Sequence, residues 1–497
     1  MNKKNIIFIV VIAILISLGI TNILINRDLE GSTDFKFRVS SIFISSVDDW
    51  ENYASNSTWC RKVAGTTNQY AIENVEIDGQ GERNCITIIN SNVFFTIQNS
   101  IIKNGLGEGI YLENVRNGRI INNEFRGNYG GIKALNCDRL SISDNNLLET
   151  LRNGMELINT NFSNLLSNIA SNNMGVIHLK DSHHNAITDN EFFNNTIGIY
   201  FNISNSNNVL VNNIISNSYA GLFIQENDKS NQISRNTFIN NHYGMIMDKC
   251  EGISAFGNSF SNGFCGIIIN KSIGCNVSGN HFTLTGVKLQ GSGAELSSHF
   301  IDSSNLVNGK LLYYYINIIN LGDLDFFNAS QIILINCNNS AISDVNLSRT
   351  TIAIALYNCK GNMIQNNNVS NNNLAGIYLW NSTQNELINN TASSNGQAGF
   401  GFEYSMNNTL RENLLESNYY GLGFFKNSSF NQVIYNTFRN NLISFFQDNS
   451  SIGNNLSGNS YLSIANFQEN YHVKFIYYDN EITVPFLIKK REFPLVN

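Results

Sequence analysis

From Gly109 onward, apolar residues come in short runs separated by Asn, Ser and Gly, and the whole unit recurs every 22 or 23 residues. Its marker is an asparagine: Asn123, Asn145, Asn168, Asn190, Asn213, Asn236, Asn258 and Asn280, at intervals of 22, 23, 22, 23, 23, 22 and 22. A second run, Asn367, Asn390, Asn413 and Asn436, keeps an interval of 23. About 14 residues ahead of each Asn stands an apolar strand, usually opened by Gly, as in Gly109-Ile-Tyr-Leu, Gly198-Ile-Tyr-Phe and Gly376-Ile-Tyr-Leu. Two shorter segments follow it, for example Val209-Leu-Val and Ile214-Ile. Three strands in so short a unit leave no room for a helical repeat, and no segment keeps a 3.6-residue period. The pattern therefore predicts an all-β solenoid, a single-stranded parallel β-helix of about 22 residues per rung. Each strand stacks on its counterpart one rung below, about 4.8 Å away. The Asn column has a physical cause on this reading. Asn tolerates the left-handed backbone of a tight turn, and its amide can bond to the Asn above and below.

The ends and the middle depart from the beat. Lys3 and Lys4 precede an apolar run from Ile6 that continues, little diluted, to Ile25. That length spans a hydrocarbon core of about 30 Å, and the lysines favour a cytoplasmic N-terminus. Residues 1–27 are thus expected to be a membrane anchor, with a cleaved signal peptide as the rival, and the remainder extracytoplasmic. Residues 28–69 form an N-terminal cap, with a short helix at Val47 to Ser55 over the first rung. The first array takes residues 70–285, and a hairpin-containing insertion, 286–330, is signalled by Asn308-Gly309 between β-prone runs. The second array takes 331–460 and a C-terminal cap 461–497. From Asn280 to Asn346 is 66 residues, three periods, so the insertion replaces whole rungs.

Composition narrows the partners. Charged residues are 14% of the chain and the net charge is −7, so no basic stripe is available for nucleic acid. The 42% hydrophobic content, placed periodically, suffices for a continuous core. Eight cysteines suit an exported chain. Cys60 and Cys85 could staple the cap. Cys337 and Cys359, one period apart, are evenly balanced between a disulfide and two small residues in a turn ladder. Cys137 and Cys250 fit the ladder better, sharing a column with Val115, Thr160, Ser182, Ser204 and Ser272. No Cys/His cluster has metal-ligand spacing.

The repeated Gly-Ile-x-Leu…Asn-x-Ile…Asn-Asn-x-Phe resembles the right-handed parallel β-helix repeats of NosD-like proteins and of the related carbohydrate-binding and sugar-hydrolase group. The block from His299 to Tyr315 is similar to an insert in exported archaeal members. The resemblance spans about residues 59–460 and implies a right-handed coil, in keeping with the hand of parallel crossovers. It does not settle activity, because that group mixes lyases, hydrolases, epimerases and binding proteins. Copper is not supported by the sequence, whose histidines are scattered, and no cofactor is expected.

Alternate strand residues face outward, so a column can be followed down the rungs. Counting by 22 places Lys133, Glu156, His178, Lys180 and Tyr200 on neighbouring rungs of one face. Such residues suit proton abstraction beside a uronate carboxylate, the chemistry of a polysaccharide lyase or epimerase. The plainer expectation is a solvated face with cross-rung ion pairs. Asp144 and Asp189 lie beside the Asn ladder as turn residues rather than acids. In the second array Tyr357, Trp380, Glu403, Phe425 and Phe446 share one column, and Tyr378 lies in the next with Gly401, Gly423 and Ser444. Aromatics beside small residues make a shallow trough on which sugar rings can stack. Burial of that stripe under the C-terminal tail or the hairpin is the competing expectation. Three functions remain open: a surface protein binding carbohydrate or cell-envelope polymer, a uronate lyase or epimerase, and a structural or adhesive stalk.

Overall fold

The structure, a computed structural model, describes residues 37–66 and 68–462. They form a right-handed parallel β-solenoid of about 17 turns and about 23 residues per turn. The predicted anchor, 1–27, and nearly all of the predicted C-terminal cap lie outside the described residues. Among the described residues, no helix is long and apolar enough to cross a membrane.

Each rung contributes a head strand and two shorter strands, and each strand pairs in parallel with the next rung's equivalent. The head strands of the first array make an 11-stranded sheet that ends at Val287–Gln290. Inward residues are aliphatic or aromatic and fully buried, and Phe238, Phe260 and Phe282 stack in register with centroids 4.9 and 5.1 Å apart. A helix, Val47–Asn56, closes the first end. Ser46 caps it through a reciprocal box with Asp49, and Trp50 stacks on Tyr70 with 5.2 Å between centroids.

The Asn column is a hydrogen-bonded ladder, though not for the conformational reason expected. Asn190 Nδ2 donates to Asn213 Oδ1 at 2.9 Å, and Asn213 Nδ2 donates to Asn236 Oδ1 at 2.8 Å. The backbone N–H of each Asn also donates to the next Oδ1. These side chains point into the coil and are buried. The left-handed residue is the one before: Asn122, Asp144, Ser167, Asp189, Asn212 and Arg235, with φ between 53 and 57°. The turn thus separates two tasks, with an outward residue that bends and an inward amide that pairs. Asp144 and Asp189 are turn residues accordingly. A second ladder, through Asn185, Asn208 and Asn231, runs at another corner.

All eight cysteines are buried free thiols, and Cys137 and Cys250 are small inward residues of a turn column, each donating its N–H to a hydroxyl of the next rung. Cys337 and Cys359 do not pair. The Cys337 thiol bonds to the Ile335 and Tyr315 carbonyls, and that of Cys359 to Leu334 and Tyr357. Cys60 and Cys85 are likewise unpaired, the Cys85 thiol donating to the Lys103 carbonyl.

Asn308-Gly309 does turn a hairpin, but the hairpin is no excursion. Leu306–Val307 pairs antiparallel with Lys310–Ile316, which then pairs in parallel with Ala329–Ile335. Strand direction reverses there, and one 19-stranded sheet continues through the reversal. The residue below Asn367 in the second array's ladder is Val345, whose N–H donates to Asn367 Oδ1, so Asn346 lies one position off the count.

The outward face of the second array's first strands lies across the open end of the first array. Gln331 Nε2 donates to the Val287 carbonyl and its Oε1 accepts from the Val287 N–H. The Tyr357 hydroxyl donates to the Leu289 carbonyl at 2.8 Å. Side chains thereby satisfy an edge strand that has no further strand to pair with.

Candidate functional site

On the first array's head sheet, strand pairing sets Lys133 beside Glu156, Glu156 beside His178, and His178 beside Tyr200. Glu156 is the hub. Its carboxylate accepts from Lys133 Nζ at 2.8 Å, lies 3.2 Å from His178 Nδ1, and has Arg152 at 3.6 Å. Asn153 Nδ2 donates to it at 3.4 Å. Burial pushes the Glu156 carboxyl up, but hydrogen bonds from His178 and Lys133 and the charges of Lys133 and Arg152 together pull it down to about 2. With a proton on Nδ1, His178 is oriented by the carboxylate; its Nε2 is buried without a partner. The imidazole stacks on Tyr200 at 5.0 Å, and Tyr200 on Phe223 at 5.3 Å. Burial raises the Tyr200 phenol to about 12, so it holds its proton.

Lys180 is on the same sheet, paired with Ile158 and Asn202, and makes no ion pair among the described residues. Arg152 and Asn153, missed by the column count, belong to the hub because the turn before the head strand folds back on it. The (i, i+4) spacing of Arg152 and Glu156 was the available signal.

The second array carries the aromatic column. Tyr357, Trp380, Glu403 and Phe425 pair in succession, as do Ala355, Tyr378, Gly401 and Gly423. Phe446 faces Gly423 rather than following Phe425, because the last rung is shifted. Tyr357 is 2% exposed, covered by the end of the first array, and its hydroxyl is engaged there. It is a junction residue and leaves the predicted sugar platform. Tyr378, Trp380 and Phe425 are half-buried. Gly401 and Gly423 keep the floor between the rings low, with Tyr378 and Phe425 already filling the space beside them. Glu403 lies at the edge, 3.4 Å from Lys426. Lys288, the last residue of the first array's outward column, joins this neighbourhood. Burial lowers its pKa, and it feels the charges of Glu403 and Lys426. The count misses it because only 20 residues separate it from its pairing partner Ile268.

A family model described as periplasmic copper-binding protein (NosD) matches residues 86–265 and again 266–472. The chain belongs to the NosD family. No curated protein sequence matches it. Among solved structures, it is similar to a mutant DFA-IIIase from Arthrobacter chlorophenolicus A6 in complex with DFA-III, with 12% identity and a TM-score of 0.38. That match covers 61% of this chain and 82% of that one. The Dettilon tailspike protein matches at 14% identity and a TM-score of 0.36, over 77% of this chain and 60% of the other.

Among the described residues, no three His, Cys, Asp or Glu side chains converge as a metal site. Met245 and Met247 are core residues, and burial holds the Cys60 and Cys359 thiols near 12 and Cys250 well above its ordinary value.

Proposed function

We propose that this NosD-family chain is an extracytoplasmic protein, anchored by residues 1–27, that binds carbohydrate on the outward face of its second array. The observation that carries the reading is the half-buried cluster of Tyr378, Trp380 and Phe425 on two adjacent columns, with Gly401 and Gly423 following Tyr378 in one and Glu403, paired with Lys426, between Trp380 and Phe425 in the other. Tyr378 and Trp380 lie two residues apart on one strand and Phe425 two rungs on; aromatic side chains so grouped give sugar rings an apolar contact, and the charged pair supplies hydroxyl partners. The periplasmic description of the family and the Lys3/Lys4-led apolar segment support export.

Trp380 gives the test a direct signal, since the other two tryptophans, Trp50 and Trp59, are buried. Across a panel of neutral and acidic glycans, at least one is expected to shift Trp380 emission, and Trp380→Ala should weaken its binding about tenfold or more. A flat response to the whole panel removes the reading. The anchor is checked separately. The full chain should sediment with membranes, whereas a version lacking residues 1–27 should not; recovery in the soluble fraction of a product shortened by the N-terminal segment argues for cleavage instead.

A lyase or epimerase reading keeps one favourable observation, the carboxylate-oriented His178 with an unbonded Nε2. Against it, Lys133 is already paired with Glu156, so a substrate acid would have to compete with that carboxylate for it. Incubation with uronate polymers decides the lyase case. Absorbance of unsaturated product that disappears in His178→Ala would establish it, and absence of product would leave the Glu156 hub as a cross-rung brace. Epimerisation is read by NMR of the same polymers.

A further inference from the structure

Two adjoining clefts open where the arrays meet, of about 540 and 710 Å3, sharing Leu284 and Asn371 in their walls. Their size is that of small-ligand sites, roughly 300–1,000 Å3. The larger is lined by hydroxyls and amides, including Thr283, Asn308, Ser348 and Asn368, together with two cations, Lys310 and Arg349. No Asp or Glu lines either cleft, in a chain of net charge −7. Lys310 and Arg349 are exposed, and neither makes an ion pair among the described residues.

The walls are pinned across the junction. Asn308 Oδ1 accepts from the Leu284 N–H, while its Nδ2 donates to the Ser348 and Arg349 carbonyls. Asn373 Nδ2 donates to the carbonyls of Gly263, Phe264 and Leu284. Side chains of one array thus hold the backbone of the other, so the cleft exists before any ligand arrives. Beside its rim, Thr285 and Thr350 are fully buried and their hydroxyls have no protein partner. Burying a hydroxyl unpaired is costly, which marks this junction as a place with unused hydrogen-bonding capacity.

We infer that the junction cleft binds an acidic sugar, with Lys310 and Arg349 holding its carboxylate and lining amides and hydroxyls such as those of Asn346 and Ser348, but not the pinning Asn308, holding its hydroxyls. Neutral sugars would satisfy the amides but leave both cations unpaired; a simple anion would satisfy the cations but leave the amide-lined volume unused. Arg suits a carboxylate in particular, because its planar fork can donate two parallel bonds. The assignment rests on the glycan reading above, yet uses a different surface from the Trp380 column.

The test is calorimetric titration of the full chain with a uronate trisaccharide and with its methyl-esterified form. Wild type should bind the acid at least tenfold more tightly than the ester, and added salt should narrow the gap. Lys310→Ala/Arg349→Ala should reduce binding of the acid to the level of the ester. Both residues are exposed, and an unchanged melting profile will show that the variant is folded. Equal affinity for acid and ester, or undiminished acid binding by the double variant, overturns the assignment. If neutral glycans still shift Trp380 while the uronate does not bind, the cleft assignment fails alone. If the uronate binds through the cleft and no glycan shifts Trp380, the column reading fails alone.

Discussion

Asp228→Asn stabilises the coil at neutral pH and does so by progressively less as the pH falls towards 4. Asp228 is 0% exposed and stands in an inward column where each side-chain oxygen accepts the N–H of the rung before. Ser182, Asn205 and Asp228 follow one another there, with Ser272 two rungs on. Asn205 donates to Asp228 Oδ1 from both its N–H and its Nδ2, Oδ2 is buried, and among the described residues no cation is paired with the group. Burial raises the carboxyl to about 7, against an ordinary value of 3.8, and hydrogen bonds from Asn205 and from the Gln225 backbone offset this only in part.

The folded-state value is raised, so the stability that a protonated Asp228 contributes is fully present below about pH 3.8. It is lost as the pH rises towards 7, after which it changes no further. Ionising this carboxyl inside the coil rather than in the unfolded chain therefore costs about 4 kcal/mol. An Asn accepts the same two bonds and carries no charge to desolvate. Urea midpoints of both proteins at pH 4.5 and pH 8 check this: the gap in favour of Asn should be several-fold wider at pH 8. A gap that is equal at the two pH values would mean that Asp228 has a partner in solution or ionises freely.

Why Asp228 escapes a reading of the sequence is instructive. The count by 22 assigns Ser204 to this column, but both Ile203 and Ser204 take left-handed conformations, which adds a residue to the turn and moves Asn205 inward. Glu226 and Asn227 repeat the device one rung later and deliver Asp228. Period alone cannot see a turn of changed length. Where turns are constant the count succeeds, and Lys133, Glu156, His178 and Tyr200 stand in line as expected. Tyr357 marks a second limit. Its outward position in the strand was legible, but its burial depends on a different part of the chain arriving over it, at Leu289, and no local pattern encodes that. The Asn308-Gly309 turn was legible as a hairpin, and its consequence, reversal of the whole coil, was not.

Asn213→Ala is the sharper test of what the ladder does, because its neighbour provides the control. Asn213 is 0% exposed; its Oδ1 accepts from the N–H and Nδ2 of Asn190, and its Nδ2 donates to the Ile187 carbonyl and to Asn236 Oδ1. Truncation leaves the Asn190 N–H buried without an acceptor and takes a donor from Ile187, in a place water does not reach. At about 1–3 kcal/mol for each group left unsatisfied, the loss should be about 2–5 kcal/mol, centred on that rung and its neighbours. Asn212, one residue earlier, is exposed and supplies the left-handed bend at φ 57°. Glycine adopts that conformation without steric penalty, so Asn212→Gly should change stability by less than about 1 kcal/mol. Because a solenoid can open rung by rung, hydrogen exchange of the amides from Asn190 to Asn236 should accompany the urea midpoints. Faster exchange there in Asn213→Ala alone is the expected pattern. Equal losses in the two variants would return the ladder's role to the turn and take it from the buried amide.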